Sequence, residues 1–86
     1  MFVILAYDVN EKRVRKVRKT VLRYLRPVQR SVFEGWLTEG KLNALKRELK
    51  GLMDPAADSA VLYEQTFTGL KKESIGRQKP EAHSFL

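Results

Sequence analysis

The stretch Phe2-Val3-Ile4-Leu5-Ala6-Tyr7-Asp8-Val9-Asn10-Glu11, running straight into the basic segment Lys12 to Arg26, decides the fold. The unbroken run of β-branched and aromatic residues from Phe2 to Tyr7 reads as a strand covered on both faces, hence central in a sheet. Asp8-Val9-Asn10 stops it. Asn10 is placed to cap a helix, and Glu11 suits the positive end of that helix's dipole. The helix is expected to reach about Leu25. Along it Val14, Val17, Val21, Tyr24 and Leu25 share one arc, while Lys12, Arg15, Lys16, Lys19, Arg23 and Arg26 fall on the opposite one.

Working outward, Pro27 ends the helical geometry, and Val28 to Leu37 reads as extended chain, either a tight hairpin or one bulged strand, with Val28, Val32, Phe33, Trp36 and Leu37 as packing residues. Thr38 is a good N-cap. Leu42, Leu45, Leu49 and Leu52 continue at helical spacing to about Met53, and Asp54-Pro55 closes that second helix. Ser59 to Gln65 alternates as a strand. The order predicts an α+β, ferredoxin-like βαββαβ domain over residues 1–65, with an antiparallel sheet and both helices on one face. Residues 66–86 read as an extra C-terminal strand and a polar tail. The bare sheet face and the tail call for a homodimer packed sheet on sheet, with the tail strand added to the partner's edge.

Eighty-six residues suffice for one small domain and a modest core. The absence of cysteine excludes disulfides, thiolate zinc sites and cysteine nucleophiles, and it fits a cytoplasmic protein. The run from Phe2 to Tyr7 is too short to span a bilayer, so no membrane partner is expected. The net charge of +7 is carried entirely by residues 1–30, because residues 31–86 balance eight basic against eight acidic side chains. Charge so concentrated marks a directed surface for an acidic polymer.

Lys12, Arg13, Arg15, Lys16, Lys19, Arg23 and Arg26 are the candidate nucleic-acid-binding residues. Solvated helix faces normally mix signs, and like charges at i,i+4 cost a few tenths of a kcal/mol each, so a stripe with only Glu11 to offset it asks for phosphates. No aromatic residue interleaves with it, which favours backbone contact to a duplex over stacking on a single strand. Asp8 is either a turn acid or a chemical group. A lone carboxylate is a poor cage for a metal, but Mg²⁺ keeps most of its waters, and one ion shared by two Asp8 side chains across a dimer axis would suffice for phosphodiester hydrolysis. His83 is the only histidine and lies in the tail, which leaves a Ser-His-Asp mechanism unsupported. From the residues alone, Tyr7 and Phe33 read as core or interface, and Ser31 reads as a strand residue or a polar neighbour of Asp8.

Tyr7-Asp8-Val9 closing the first strand, the basic helix, Val28-Gln29-Arg30-Ser31-Val32-Phe33-Glu34-Gly35, the Leu-rich helix ending in Asp54-Pro55, and the strand after Asp58-Ser59 together resemble the small second protein of the CRISPR adaptation machinery. The resemblance covers nearly the whole chain, and the ending Ser84-Phe85-Leu86 is similar to the variant with a long C-terminal tail. It implies a ferredoxin-like homodimer that serves spacer acquisition in antiviral defence, sitting between dimers of a partner integrase and holding DNA. It also implies a metal-dependent endonuclease acting on RNA or DNA, with Asp8 holding Mg²⁺ and with Tyr7, Asp8, Ser31 and Phe33 lining the site. The alternative is a ferredoxin-fold RNA-binding or toxin-like endoribonuclease module unrelated to CRISPR.

Overall fold

The computed structural model describes residues 1–77. Seven elements follow one another: β1 (Phe2–Asp8), α1 (Glu11–Val21), β2 (Arg26–Gln29), β3 (Val32–Trp36), α2 (Glu39–Leu52), β4 (Ser59–Thr66) and β5 (Gly69–Gly76). The strands form one sheet in the order β2-β3-β1-β4-β5, with every neighbouring pair antiparallel. This is the expected ferredoxin-like arrangement with a fifth strand on the edge.

Both helices cover one face of the sheet. Val3, Leu5 and Tyr7 of β1, Phe33 of β3, and Ala60 and Leu62 of β4 meet Val17 and Val21 of α1 and Leu42, Leu45 and Leu49 of α2 in one core. The helix starts are those the sequence predicts. Asn10 accepts from the Lys12 amide at 2.9 Å and Thr38 from the Lys41 amide at 3.2 Å, each satisfying a first-turn donor that has no partner inside its helix.

Three details differ from expectation. Helix α1 stops at Val21 rather than near Leu25. The next amides tighten, with Arg23 N bonding Thr20 O and Tyr24 N bonding Val21 O, because Pro27 forces Arg26 into extended backbone and the chain must turn before it. Arg26 therefore lies on β2, opposite Glu34 of β3, and not on the helix. The strand expected on a partner's edge instead pairs within its own chain. β5 matches β4 over eight residue pairs, from Ser59↔Gly76 to Thr66↔Gly69. A tight turn makes this possible, with Gly69 at φ +156° and the Thr66 hydroxyl donating to the Gly69 carbonyl at 3.0 Å. The rest of the expected tail, including His83 and Ser84-Phe85-Leu86, lies outside the described residues.

Cover on β1 is also one-sided within the chain. Val3, Leu5 and Tyr7 are buried, whereas Phe2, Ile4 and Ala6 on the other face are only half-buried. Register adds Val32 and Trp36 of β3 and Val61 and Tyr63 of β4 to that open face. Trp36 is 75% exposed and meets the Phe2 ring edge-on at 5.2 Å. Among the described residues, no helix is long and apolar enough to cross a membrane.

Candidate functional site

Asp8 is the last residue of the central strand. Alternation along β1 puts its position on the open face with Ala6 and Ile4, and register sets it opposite Ser59 of β4. Its side chain is exposed. Two residues later Asn10 begins the cap of α1, so the acid stands at the junction between the open sheet face and the start of the basic helix.

The other three site residues gather on the opposite side. The Tyr7 amide donates to the Ser31 carbonyl at 3.1 Å, and the Tyr7 and Phe33 rings stack with centroids 5.6 Å apart at 21°. Phe33 has no exposed surface, so it supports Tyr7 and cannot touch a substrate itself. Arg18, which the sequence reading did not single out, places its guanidinium 5.5 Å from the Phe33 ring centre and donates to the Arg30 carbonyl at 3.2 Å. An open groove on this side is lined by Tyr7, Val14, Arg18, Pro27, Arg30 and Ser31. Burial pushes the Tyr7 hydroxyl above its usual range, with nearby Arg18 opposing. Among the described residues the hydroxyl has no hydrogen-bond partner of acceptable geometry. Tyr7, Ser31 and Phe33 thus form a cluster behind the sheet, and Asp8 faces the other way.

The basic residues also divide. Lys12, Arg15, Lys16 and Lys19 are exposed on α1. Arg13 turns inward to Asp58, its Nε 2.6 Å from Oδ2 and its Nη2 3.1 Å from Oδ1. Arg23 pairs with Glu48 of α2, which also accepts from the Tyr24 hydroxyl. Asp58 is fully buried and takes two further bonds, from the Asn10 amide at 2.9 Å and the Asp54 amide at 2.8 Å. Arg13 first, and then these two amides, hold the Asp58 carboxyl well below the usual carboxylate range against the opposing effect of burial. The sequence reading passed over Asp58 as a loop residue. A signal was present in helical spacing: Arg13 lies four residues before buried Val17, and Arg18 four after half-buried Val14, so both flank the apolar arc rather than oppose it.

Whether these residues suit a divalent cation depends on Asp8. Among the described residues no three His, Cys, Asp or Glu side chains cluster to hold a metal, so a cage built by one chain does not fit. An exposed carboxylate at a strand end does fit Mg²⁺ that keeps most of its waters and takes its other ligands from a phosphate or a second carboxylate.

Comparison with known proteins bears on this arrangement. The family described as "CRISPR associated protein Cas2" matches residues 1–72. A protein of Thermotoga maritima named CRISPR-associated endoribonuclease Cas2 is 51% identical over 82 residues, covering 94% of each chain. One of Dictyoglomus turgidum with the same name is 40% identical over the whole of both. Among solved structures, Streptococcus pyogenes Cas2 at pH 6.5 superposes with a TM-score of 0.71 at 35% identity, covering 77% of this chain and 87% of that one. A hypothetical protein from Thermus thermophilus gives a TM-score of 0.68 at 26% identity, covering 84% and 96%.

Proposed function

Because the chain belongs to the Cas2 family of CRISPR-associated proteins, we propose that it is a homodimeric subunit of CRISPR adaptation that binds nucleic-acid backbone along α1 and carries a Mg²⁺-dependent endonuclease site at Asp8. That membership removes the alternative of a module unrelated to CRISPR. The observation that carries the reading is the position of Asp8, an exposed carboxylate at the end of the central strand on the open sheet face, three residues ahead of a helix with four outward cations.

A second copy packed on Phe2, Ile4, Val32, Trp36, Val61 and Tyr63 would cover the open face and bring another Asp8 toward the first. The two carboxylates would hold Mg²⁺, which supplies a water of lowered pKa and neutralises phosphate charge when bound. Lys12, Arg15, Lys16 and Lys19 would bind successive phosphates and set the strand's path past Asp8. Tyr7 and Phe33 act one layer behind, fixing the end of β1 from the core side. In the cytoplasm such a dimer would bridge integrase dimers during spacer acquisition. The endoribonuclease names of the relatives make single-stranded RNA the first substrate to try.

Asp8→Asn tests the reading in two assays, cleavage of labelled single-stranded RNA or DNA with Mg²⁺ and support of spacer integration alongside the integrase. Loss of cleavage with an intact dimer is expected. Cleavage at the wild-type rate overturns the nuclease site. Integration that survives loss of cleavage assigns adaptation to the scaffold alone.

A further inference from the structure

Asp58 is the only fully buried carboxylate among the described residues. Taking a charge out of water is costly, and an apolar side chain of similar volume often serves stability as well or better. What Asp58 holds in place therefore matters. Its two oxygens accept four hydrogen bonds, from the Asn10 amide at 2.9 Å, the Asp54 amide at 2.8 Å, and Arg13 at 2.6 and 3.1 Å. Asn10 lies two residues after Asp8, and Arg13 lies in the first turn and a half of α1. The neighbour of Asp58, Ser59, is the register partner of Asp8 itself. From the other side, the Asp58 carbonyl accepts from the Arg77 amide at 2.6 Å, where Gly76 at φ +82° comes so close that a Cβ would meet that carbonyl at 2.3 Å. The turn after β1, the start of α1 and Asp54 just past the end of α2 thus meet the Asp58 side chain, while its backbone leads into β4 and accepts from the residue after β5.

We propose that Asp58, through its ion pair with Arg13 and its bond to the Asn10 amide, is the positioning residue for Asp8, fixing the turn that presents the Asp8 carboxylate to substrate. This rests on the reading of Asp8 as the reactive group. Asp8 ends a strand and is followed by Val9 and Asn10, which have no ladder of their own, so the bond from the Asn10 amide to Asp58 is an anchor of the turn that directly follows Asp8. Productive geometry in phosphoryl chemistry tolerates only small displacements of the reactive group. The fixed end of α1 also carries Lys12, so the same node sets phosphate-binding charge and reactive carboxylate in one frame.

Asp58→Asn keeps the volume and removes the charge, turning an amide NH₂ toward Arg13. Leu49→Ala, a core change that removes none of the four hydrogen bonds to Asp58, is the matched control for lost stability. Both proteins, with wild type, are assayed on a labelled single-stranded RNA with Mg²⁺ at a temperature where each is folded, and amide hydrogen exchange is followed at Asp8, Val9 and Asn10. Asp58→Asn is expected to lower kcat at least tenfold with KM within twofold, and to speed exchange at Asn10 at least tenfold, while Leu49→Ala leaves kcat near wild type. Unchanged kcat in Asp58→Asn, an equal kcat loss in Leu49→Ala, or unchanged exchange at Asn10 overturns the proposal. If wild type itself does not cleave, the nuclease reading fails, and the exchange rates alone decide whether Asp58 holds the turn.

Discussion

Lys12 and Arg13 are adjacent on α1 and carry the same charge, yet they face different worlds. Lys12 is exposed, whereas Arg13 closes on a carboxylate with no solvent exposure. The same split runs along the helix, with Arg15, Lys16 and Lys19 outward and Arg18 folded over Phe33. The difference teaches that a count of basic residues mixes two physical roles. An outward cation is free to exchange a counterion for a phosphate. An inward one has already spent its charge on the fold, and removing it exposes the cost its partner pays for burial.

The largest effect that distinguishes the two is on stability. Arg13→Ala leaves Asp58 buried without its ion pair, and for a domain of this size the melting temperature should fall by more than about 10 °C. Thermal unfolding followed by circular dichroism measures it. A melting temperature within a few degrees of wild type would erase the distinction between anchor and binder.

Acid should sharpen it. The folded Asp58 carboxyl is held below its unfolded value, so the unfolded chain binds the extra proton and stability rises with pH through this group. Its contribution is complete above about pH 4, the ordinary range for an aspartate, and is lost as pH falls toward the lower folded value. Wild type should therefore lose stability between roughly pH 4 and 2 more steeply than Asp58→Asn. Melting curves across that window give the two slopes, and equal slopes would mean that Asp58 shares its environment equally in both states.

Outward cations should show the reverse pattern. Lys16→Ala and Lys19→Ala are expected to leave the melting temperature unchanged and to reduce the slope of log affinity against log salt by about one each. Arg13→Ala, measured where it remains folded, should leave that slope alone. Fluorescence titrations of labelled nucleic acid at several salt concentrations test both statements, and a slope lowered as much by Arg13→Ala as by Lys16→Ala would place Arg13 among the binders.

Much of this architecture was legible because local chemistry and tertiary packing agree. Phe2 to Tyr7 does form the central strand, Asn10 and Thr38 do cap, and Leu42, Leu45 and Leu49 are buried at helical spacing. Asp8 could be singled out because a charged residue directly after an apolar strand and before a basic helix has few other places to go. What stayed hidden depends on contacts distant in sequence. Strand β5 lacks strong alternation because Glu73 stands on its helix-facing side, satisfied by Lys46 of α2 at 2.6 Å, which also holds the Glu73 carboxyl below its usual range. Asp58 looked like one more polar loop residue because the partner that makes its burial possible lies 45 residues earlier. The resemblance groups Tyr7 with Asp8 in one site, whereas neighbours in a strand face opposite sides, in keeping with the reading of Tyr7 from the residues alone as core or interface.

The smallest expected effect lies at the residue that sits between the two classes. Arg23 is paired with Glu48, but its side chain is 58% exposed and that of Glu48 36%, so water screens the pair as it does any surface ion pair. Glu48 is also held by a second donor, and of its causes the Tyr24 hydroxyl comes first in keeping the carboxyl below its ordinary range, with Arg23 a lesser one. Arg23→Ala therefore leaves Glu48 with its main partner and with open solvent, and the melting temperature should stay within about 4 °C of wild type. Charge reversal at the same position would set a carboxylate against Glu48 and confuse a stability change with a binding one, so alanine is the cleaner probe. If Arg23→Ala leaves stability alone and still lowers the salt slope of nucleic-acid binding, the pair with Glu48 is loose enough to open for a phosphate and Arg23 joins Lys12, Arg15, Lys16 and Lys19. If the slope is unchanged, a partly exposed ion pair is already enough to withdraw a cation from the binding face, and the outward set ends at Lys19.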